Sequence, residues 1–301
     1  MSHKAALEAV ERTLRDIHGN SSLMGKVTVV LSGDFRQCLP VVKRGTAADE
    51  LRACLKSSNL WRYVKTLRLN TNMRAKMTGD ASAAEFAHNL LRLGEGKVPE
   101  DESGLIDMTP YGTPVSNLDD LIGNVFPDFE RRFRDFTYLS ERAILAPKNN
   151  AVDDINLKLL AKMPCRERQY KSVDKVTDDA DATEYPVEFL NSLELPGVPS
   201  HNLKLKEGAP IMLLRNLDAP KLVNGTRLVV KKLMPHVIQA TILCGHAKGE
   251  DVFIPRIPII PSDLPFSFKR LQFPVRLCFA MSINKSQGRT LQSLLVLYLL
   301  A

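Results

Sequence analysis

An apolar stripe at helical spacing opens the chain. Leu7, Val10, Leu14 and Ile17 recur every three or four residues, while charged side chains face elsewhere. This pattern predicts an amphipathic helix that ends near Gly19, because glycine commonly stops a helix. Similar patterns predict three further helices, at residues 47–57, 82–93 and 151–160.

Short runs rich in β-branched residues predict strands between these helices. The valine-rich run Lys26–Leu31 predicts a buried strand, which Ser32-Gly33-Asp34 ends. Ligands of α/β proteins bind beyond the carboxyl ends of strands, so the side chains from Asp34 to Gln37 are expected at a site. Further strands are predicted at residues 65–69, 143–146 and 210–214.

From about residue 224 the chain changes to short β-rich runs separated by turns. Asn224-Gly225 is a strong hairpin-turn signal. Strands are predicted at 228–233, 237–243, 251–254 and in the proline-studded segment 255–265. This arrangement predicts a small antiparallel barrel. Two stretches rich in turn-forming or acidic residues predict loops, at 95–117 and 172–184.

Length and composition describe an ordinary globular protein of about two domains. The 301 residues are 44% hydrophobic and 25% charged, and their net charge is +7. A mild basic excess suits a polyanion partner, but it is also common in proteins that never touch nucleic acid. No uncharged apolar run reaches the roughly 18 residues of a membrane span, and Met1–His18 has no signal-peptide core. We therefore expect an intracellular protein.

Cysteine spacing gives no metal-binding signal. The five cysteines contain no C-x-x-C pair, and the six histidines do not join them in a ligand pattern. An odd count also argues against a secreted disulfide framework. We predict reduced, mostly buried thiols, no structural zinc and no other metal ligand.

The strongest chemical signal is the stretch Phe279–Leu291. An apolar run there ends in a polar loop with a lysine, a hydroxyl, an amide and a glycine, at Lys285, Ser286, Gln287 and Gly288. Backbone N–H groups freed by a glycine, with a cation beside them, suit phosphate binding. The alternative is an ordinary joint between a strand and a helix.

Two other segments carry related signals. Val27–Val42 contains Val-Val-Leu-Ser-Gly-Asp-Phe-Arg-Gln-Cys-Leu-Pro-Val-Val, and Leu67–Ala75 reads Leu-Arg-Leu-Asn-Thr-Asn-Met-Arg-Ala. With Phe279–Leu291, these segments resemble, in order, motifs three, four and five of the Pif-type (petite integration frequency) DNA helicases, particularly the Helitron transposon branch. The resemblance also includes 143–150, 208–216, 223–227 and 253–257.

The resemblance implies an α/β fold, a partial tandem RecA-like core of the P-loop helicase type with a small antiparallel β-barrel insertion. Residues 1–70 would be the remnant of the first RecA-like domain. Residues 71–224 and 273–301 would form the second, which would be incomplete at its C-terminus. The barrel would occupy 225–272.

The resemblance also implies an activity, an ATP-dependent DNA helicase that moves 5′ to 3′ along one strand. ATP and Mg²⁺ would be its cofactors and single-stranded or duplex DNA its partner. Such motors serve DNA repair, recombination and telomere maintenance, or Helitron transposition, so we expect a nuclear location if the source is eukaryotic.

The nucleotide site implied by the resemblance has two catalytic side chains. Gln37 would sense the terminal phosphate, and Arg74 would be the arginine finger, since a guanidinium donates in a plane to phosphate oxygens. Gly33, Asp34 and Gly288 would join them in binding nucleotide. The alternatives are a surface glutamine, a surface arginine at a strand end, and an aspartate that only orders its turn.

The implied DNA contacts combine cations, amides and one aromatic ring. Phe35 is the stacking candidate, whereas Trp61 is predicted to be a core residue. The arginines at 131, 132 and 134 are predicted to line a solvated helix face, with DNA contact as the alternative. Lys148 and Asn149 would touch the strand's backbone or lie in a solvated loop. The other DNA-binding candidates come from motif five: Lys285, Ser286, Gln287 and Thr290.

Three parts of the family's pattern are missing. No string G-x-x-x-x-G-K-[ST] occurs, and this is the loop that holds nucleotide phosphates. The acidic Asp-Glu pair would precede Met1, and the final arginine motif would follow Ala301. We therefore expect a fragment or truncated gene product whose missing partner is the N-terminal motor half, rather than a deliberately short protein. The isolated chain should have no ATPase activity, and the alternative function is an inactive remnant that at most binds single-stranded DNA.

Overall fold

A computed structural model describes residues 2–35, 39–42, 45–73, 77, 81–176, 185–195, 197–261, 264, 266–286 and 293–296. The chain divides into two compact units, Met1–Pro114 (unit 1) and Val115–Ala301 (unit 2). These units do not coincide with the predicted domain boundaries, which stay predictions.

Three α-helices have described bounds in unit 1. Helix α1 spans Lys4–His18, and Gly19 closes it in the left-handed conformation with φ of 54°. Helix α2 spans Ala47–Ala53 and begins with a capping box between Thr46 and Asp49. Helix α3 spans Ala81–Gly94. Short 3₁₀ turns lie at Leu23–Lys26, Leu55–Ser57 and Trp61–Tyr63. The helices predicted at the start of the chain and at 82–93 are thus confirmed, whereas the helix predicted at 47–57 ends at Ala53 and a separate 3₁₀ turn follows it.

The prediction of strands at 26–31 and 65–69 is wrong. Residues 27–31 and 64–69 form irregular extended chain, and Val30 and Leu69 are fully or almost fully exposed. A strand needs a hydrogen-bonded neighbour, and the described residues of unit 1 contain no strand that could pair with either segment. The apolar composition of these segments predicted strands, but it could not show whether a neighbouring strand would pair with them.

Unit 2 contains six helices among its described residues. They are α4 Leu118–Val125, α5 Phe129–Arg132, α6 Phe136–Ser140, α7 Asn149–Lys162, α8 Val187–Ser192 and α9 Ile283–Ser286. Helix α7 confirms the helix predicted at 151–160. None of the helices in the described part of the chain is long and apolar enough to cross a membrane.

Thirteen strands are described in unit 2, and they form four sheets. They are β1 Arg142–Ala146, β2 Arg168–Lys171, β3 Val173–Val176, β4 Asn202–Leu205, β5 Pro210–Leu213, β6 Arg227–Leu233, β7 Val237–Ile242, β8 Asp251–Pro255, β9 Ile257–Ile259, β10 Phe268–Gln272, β11 Val275–Leu277, β12 Ala280–Ser282 and β13 Ser293–Val296. Strand β1 is central in a parallel sheet of order β12-β1-β13. The strand predicted at 143–146 is confirmed.

The remaining sheets are antiparallel. The largest has the order β11-β5-β6-β7-β8, beside a three-stranded sheet β3-β10-β9 and the pair β2-β4. The strands predicted at 210–214, 228–233, 237–243 and 251–254 are confirmed. Their pairing among the described strands is open rather than closed, and it includes β5 and β11 from outside 225–272, so the barrel stays a prediction.

Two local predictions in unit 2 need correction. Strand β3 lies within the stretch 172–184 that was predicted to be a loop, because its pairing with β10 comes from far along the chain. Asn224-Gly225 does form a turn, in which Thr226 N donates to Val223 O and Gly225 has φ of 90°. However, this turn ends the longer connection 214–226 between β5 and β6 rather than forming a two-residue hairpin.

Gly208, before β5, is required by both backbone conformation and packing. Its φ is +89°, and a Cβ atom there would lie 2.9 Å from Cδ2 of the buried Phe133 ring. Gly208→Ala should destabilise unit 2 by about 2–4 kcal/mol, adding a steric clash to the cost of a positive φ. Urea denaturation followed by circular dichroism measures this.

Gly245→Ala is the matched control for this prediction. Gly245 has nearly the same φ of +92°, but a Cβ atom there meets nothing within 4 Å. Gly245→Ala should therefore destabilise unit 2 only through the cost of a positive φ for alanine, about 1 kcal/mol. Equal destabilisation by both substitutions would mean that the Phe133 contact is irrelevant.

Candidate nucleic-acid interface

The parallel sheet of unit 2 brings two predicted site segments to one edge. Strands β1 and β12 run in the same direction, and their last residues, Ala146 and Ser282, are directly paired. The chain leaves both strands at the same level, toward Lys148 in one case and Lys285 in the other. This is the carboxyl edge, where ligands bind in open α/β sheets.

Lys148 and Asn149 occupy the start of α7 at this edge. Lys148 is the residue before the first helical turn, with extended backbone and no capping hydrogen bond from its side chain. Both residues are exposed. Helix α7 is 14 residues long, so its N-terminal N–H groups add a positive partial charge beside the lysine. This arrangement favours an anionic ligand.

Lys285 and Ser286 follow β12 within the short helix α9. Lys285 Nζ lies 3.5 Å from Asn224 Oδ1, which places the turn before β6 at the same edge. Ser286 Oγ donates to Ile283 O over 2.7 Å. Together Lys148, Asn149, Asn224, Lys285 and Ser286 form what we call the carboxyl-edge cluster.

The chemistry of the carboxyl-edge cluster suits phosphates. Two ammonium groups supply charge, and two amides and a hydroxyl supply hydrogen bonds. Asp153, one turn further along α7, is engaged elsewhere, since its Oδ1 accepts from Arg276 Nη2 at 2.6 Å. Proteins that hold a single strand use positive charge along its phosphate backbone.

The described candidates in unit 1 are three consecutive residues. Gly33, Asp34 and Phe35 are exposed and end the irregular segment after α1. The Phe35 ring meets the half-buried Trp61 edge-on, with centroids 5.3 Å apart. Lys56 Nζ lies 4.3 Å from the Phe35 centroid. Phe35 remains 40% exposed, and its stacking role stays a prediction.

Other candidate side chains lie outside the described residues. They are Gln37, Arg74, Gln287, Gly288 and Thr290. The described residues contain no group of three or more histidine, cysteine or acidic side chains that could hold a metal ion. Gly33 and Asp34 alone do not form a cradle for Mg²⁺ and ATP. The roles of the residues predicted to bind nucleotide therefore stay predictions.

Arg132 is engaged within its own helix region. It donates to Asp135 Oδ2 at 2.8 Å, and its guanidinium lies 4.4 Å from the centre of the Tyr138 ring. Burial raises the pKa of Tyr138 to about 12, although the nearby Arg142 and Arg132 act in the opposite direction. Arg131 and Arg134 are also exposed. These surroundings fit a solvated helix face, the interpretation that the sequence favours.

Two buried polar residues that brace the elements of the parallel sheet were not singled out from the sequence. Asn156 on α7 bonds to the backbone before and at the start of β12, and it is 2% exposed. Arg227 at the start of β6 donates to three backbone carbonyls and is equally buried. A polar residue among apolar neighbours is the signal that could have identified Asn156.

Comparison with solved structures defines the class of protein. The structure of Pif1 helicase from Candida albicans matches with a TM-score of 0.63 and 22% identity, covering 98% of this chain and 64% of that one. Bacteroides Pif1 bound to ssDNA matches with a TM-score of 0.61 and 21% identity over 98% and 62%. The fold is therefore the α/β, RecA-like fold of these helicases.

Sequence comparison identifies the family. The PIF1-like helicase model matches residues 1–104, and that of the DNA helicase Pif1 2B domain matches 188–233. ATP-dependent DNA helicase PIF1 of Danio rerio is 26% identical over 289 residues, 95% of this chain and 38% of that protein. ATP-dependent DNA helicase RRM3 of Saccharomyces cerevisiae is 23% identical over 96% and 45%. The chain belongs to the Pif1-type helicase family, and it spans 38% of the length of its vertebrate relatives.

Proposed function

We propose that this chain is part of an ATP-dependent DNA helicase, and that its carboxyl-edge cluster holds the phosphates of a single DNA strand. The observation that carries the proposal is the pairing of Ala146 with Ser282, because it brings Lys148 and Lys285 to one edge. Membership of the helicase family supports DNA as the partner. The positive charge of the cluster supports contact through the phosphates of the strand.

The rest of the activity follows from family membership. In the intact protein, ATP and Mg²⁺ would drive movement 5′ to 3′ along the bound strand, with Gln37 and Arg74 at the nucleotide. Residues 1–70 would belong to the first motor domain, and 71–224 with 273–301 to the second. The role would be in DNA repair, recombination and telomere maintenance, or in Helitron transposition, and the location would be the nucleus in a eukaryotic source.

The DNA-binding proposal is tested with two single substitutions. Lys148→Ala and Lys285→Ala should each weaken binding of the 301-residue chain to a fluorescent oligo(dT), measured by anisotropy. Each should also reduce the slope of log affinity against log salt by about 0.7, because each removes one phosphate contact.

Lys232→Ala is the matched control for these substitutions. It removes the same charge from an exposed position near the opposite end of β6 from Asn224. The control should leave the salt slope unchanged. If all three substitutions behave alike, binding depends on net charge alone, and the carboxyl-edge cluster is not the interface.

A passive single-strand binder is the second candidate function, favoured for this polypeptide by the missing phosphate loop. A nucleotide-coupled motor changes its DNA affinity when Mg²⁺ and a non-hydrolysable ATP analogue are added. A passive binder responds mainly to salt. We expect the affinity of this chain to be independent of nucleotide, and a change with the analogue would favour the motor.

A further inference from the structure

Asn156 is a buried amide whose hydrogen bonds join α7 to the start of β12. It lies on α7 and is 2% exposed. Its Nδ2 donates to Ala280 O at 3.1 Å and to Leu277 O at 3.3 Å, while its Oδ1 accepts from Ala280 N at 2.9 Å. Both donor hydrogens and the acceptor oxygen are therefore used.

The two elements that Asn156 connects carry the two lysines. Helix α7 has Lys148 immediately before its first residue. Ala280 is the first residue of β12, and Lys285 follows three residues after that strand ends. Strands β1 and β12 are joined by the sheet ladder. The amide of Asn156 adds a direct bond from the helix to β12, so it restrains how α7 can shift or tilt against the strand.

We propose that Asn156 is a positioning residue, which holds Lys148 and Lys285 at a fixed separation so that both can contact phosphates of one strand. The inference rests on the proposed DNA-binding function of this edge. Fixed groups bind a repeating backbone better than mobile ones, because less freedom is lost on binding. Without the amide, three buried backbone groups would lose a partner, and α7 would be free to move relative to β12.

Gln272 provides a matched control with nearly the same chemistry. It is fully buried in β10, where its Nε2 donates to Tyr170 O at 2.8 Å and to His201 O at 3.2 Å. Its Oε1 accepts from Phe273 N at 3.0 Å. Gln272 therefore also braces backbone within unit 2, but in a different sheet from the carboxyl-edge cluster.

The experiment compares Asn156→Leu with Gln272→Met in the 301-residue chain. Both replacements keep the approximate side-chain volume and remove the amide, so both should lower the denaturation midpoint. Only Asn156→Leu should weaken oligo(dT) binding, by about fivefold under conditions where both variants are folded, and reduce the salt slope by up to about 0.7. Equal losses of affinity in both variants would overturn the inference.

A double-substitution test separates positioning from general damage. In the Lys285→Ala background, Asn156→Leu should change affinity by less than about twofold, since the contact that it positions is already gone. A full fivefold effect in that background would overturn the inference. If Lys148→Ala and Lys285→Ala have no effect by themselves, the proposed interface fails and this inference fails with it.

A second measurement does not depend on whether Asn156→Leu folds. Lys148→Ala, Lys285→Ala and the double variant form a cycle on the otherwise unchanged chain. If the two lysines are held as one unit, the double variant should lose less affinity than the product of the single losses. Strictly multiplicative losses would show two independent contacts and would overturn the inference.

Discussion

Arg270→Met should destabilise unit 2 by about 3–5 kcal/mol, which is the typical cost of leaving one partner of a buried ion pair uncompensated. Both side chains of the pair Arg270–Asp174 are completely buried. Arg270 Nη2 lies 2.7 Å from Asp174 Oδ2, and Nε lies 3.0 Å from Oδ1. Methionine would leave the aspartate charge without its main counter-ion in a site without water access.

The loss extends beyond the ion pair. The guanidinium of Arg270 also donates to three backbone carbonyls, at distances of 2.9–3.1 Å. These are Leu193 O, Pro199 O and Leu190 O. The arginine thus joins β10 to α8 and to the segments that follow α8. We expect urea denaturation to show a lower midpoint, with this region losing its protection from hydrogen exchange.

Two control variants define how the result should be read. Lys221→Met removes one partner of an exposed pair with Glu250, at the same 2.7 Å separation, and should leave the midpoint almost unchanged. The double variant Arg270→Met with Asp174→Leu should recover part of the stability, because no unpaired charge remains. If Arg270→Met is no worse than Lys221→Met, the buried pair does not stabilise the fold.

Elements with a local signal were predictable from sequence. Helices α1 and α7 repeat apolar residues at helical spacing over several turns, and α1 ends at a glycine. Their formation needs no knowledge of distant residues. The same holds for β6, β7 and β8, which are short β-rich runs separated by turns.

Elements that depend on a distant partner were not predictable. Residues 26–31 have the composition of a buried strand, but the described residues of unit 1 offer no ladder for them. Strand β3 shows the converse case, because β10 pairs with a stretch whose own composition predicts a loop. Strand β10 itself turns Phe268, Arg270 and Gln272 inward. Two polar residues therefore occupy buried positions, although their polarity alone would predict exposure to solvent.

The candidate site was likewise predictable only in its local features. Residue types and the family resemblance predicted Lys148, Asn149, Lys285 and Ser286 as separate contacts. Their meeting at one edge depends on the register of β1 and β12, which no local pattern contains. Asn156 was detectable in principle, since it shares the apolar face of α7 with residues such as Val152 and Leu159. Its hydrogen-bond partners lie more than 120 residues away and could not be inferred.

Arg227→Met is the second substitution with a large expected effect, a destabilisation of about 3 kcal/mol or more. Arg227 is 2% exposed and ends the Val-Asn-Gly-Thr-Arg segment of the family resemblance. Its Nη1 donates to Ser140 O, and its Nη2 donates to Leu139 O and Arg142 O, each at 3.0 Å. A hydrogen bond from a charged donor contributes about 1.5–3 kcal/mol, and three buried carbonyls would lose theirs.

Arg227→Lys and Lys232→Met are the comparisons for this prediction. Lysine keeps the charge but lacks the planar set of donors, so Arg227→Lys should fall between the wild type and Arg227→Met. Lys232 is an exposed residue of the same strand, and Lys232→Met should change the midpoint little. Equal midpoints for Arg227→Met and Lys232→Met would show that the three carbonyl contacts do not stabilise unit 2.

The position of Arg227 also separates stability from binding. Its contacts reach the end of α6 and the first residue of β1, Arg142, whereas the carboxyl-edge cluster follows the last residue, Ala146. Arg227→Met should therefore lower the denaturation midpoint without changing oligo(dT) affinity or the salt slope at temperatures where the variant remains folded. Asn156→Leu should change both, because its amide ties α7, which begins beside Lys148, to β12, which leads to Lys285. An equal loss of affinity in the two variants would mean that the edge responds to the general stability of unit 2 and not to the bond between α7 and β12.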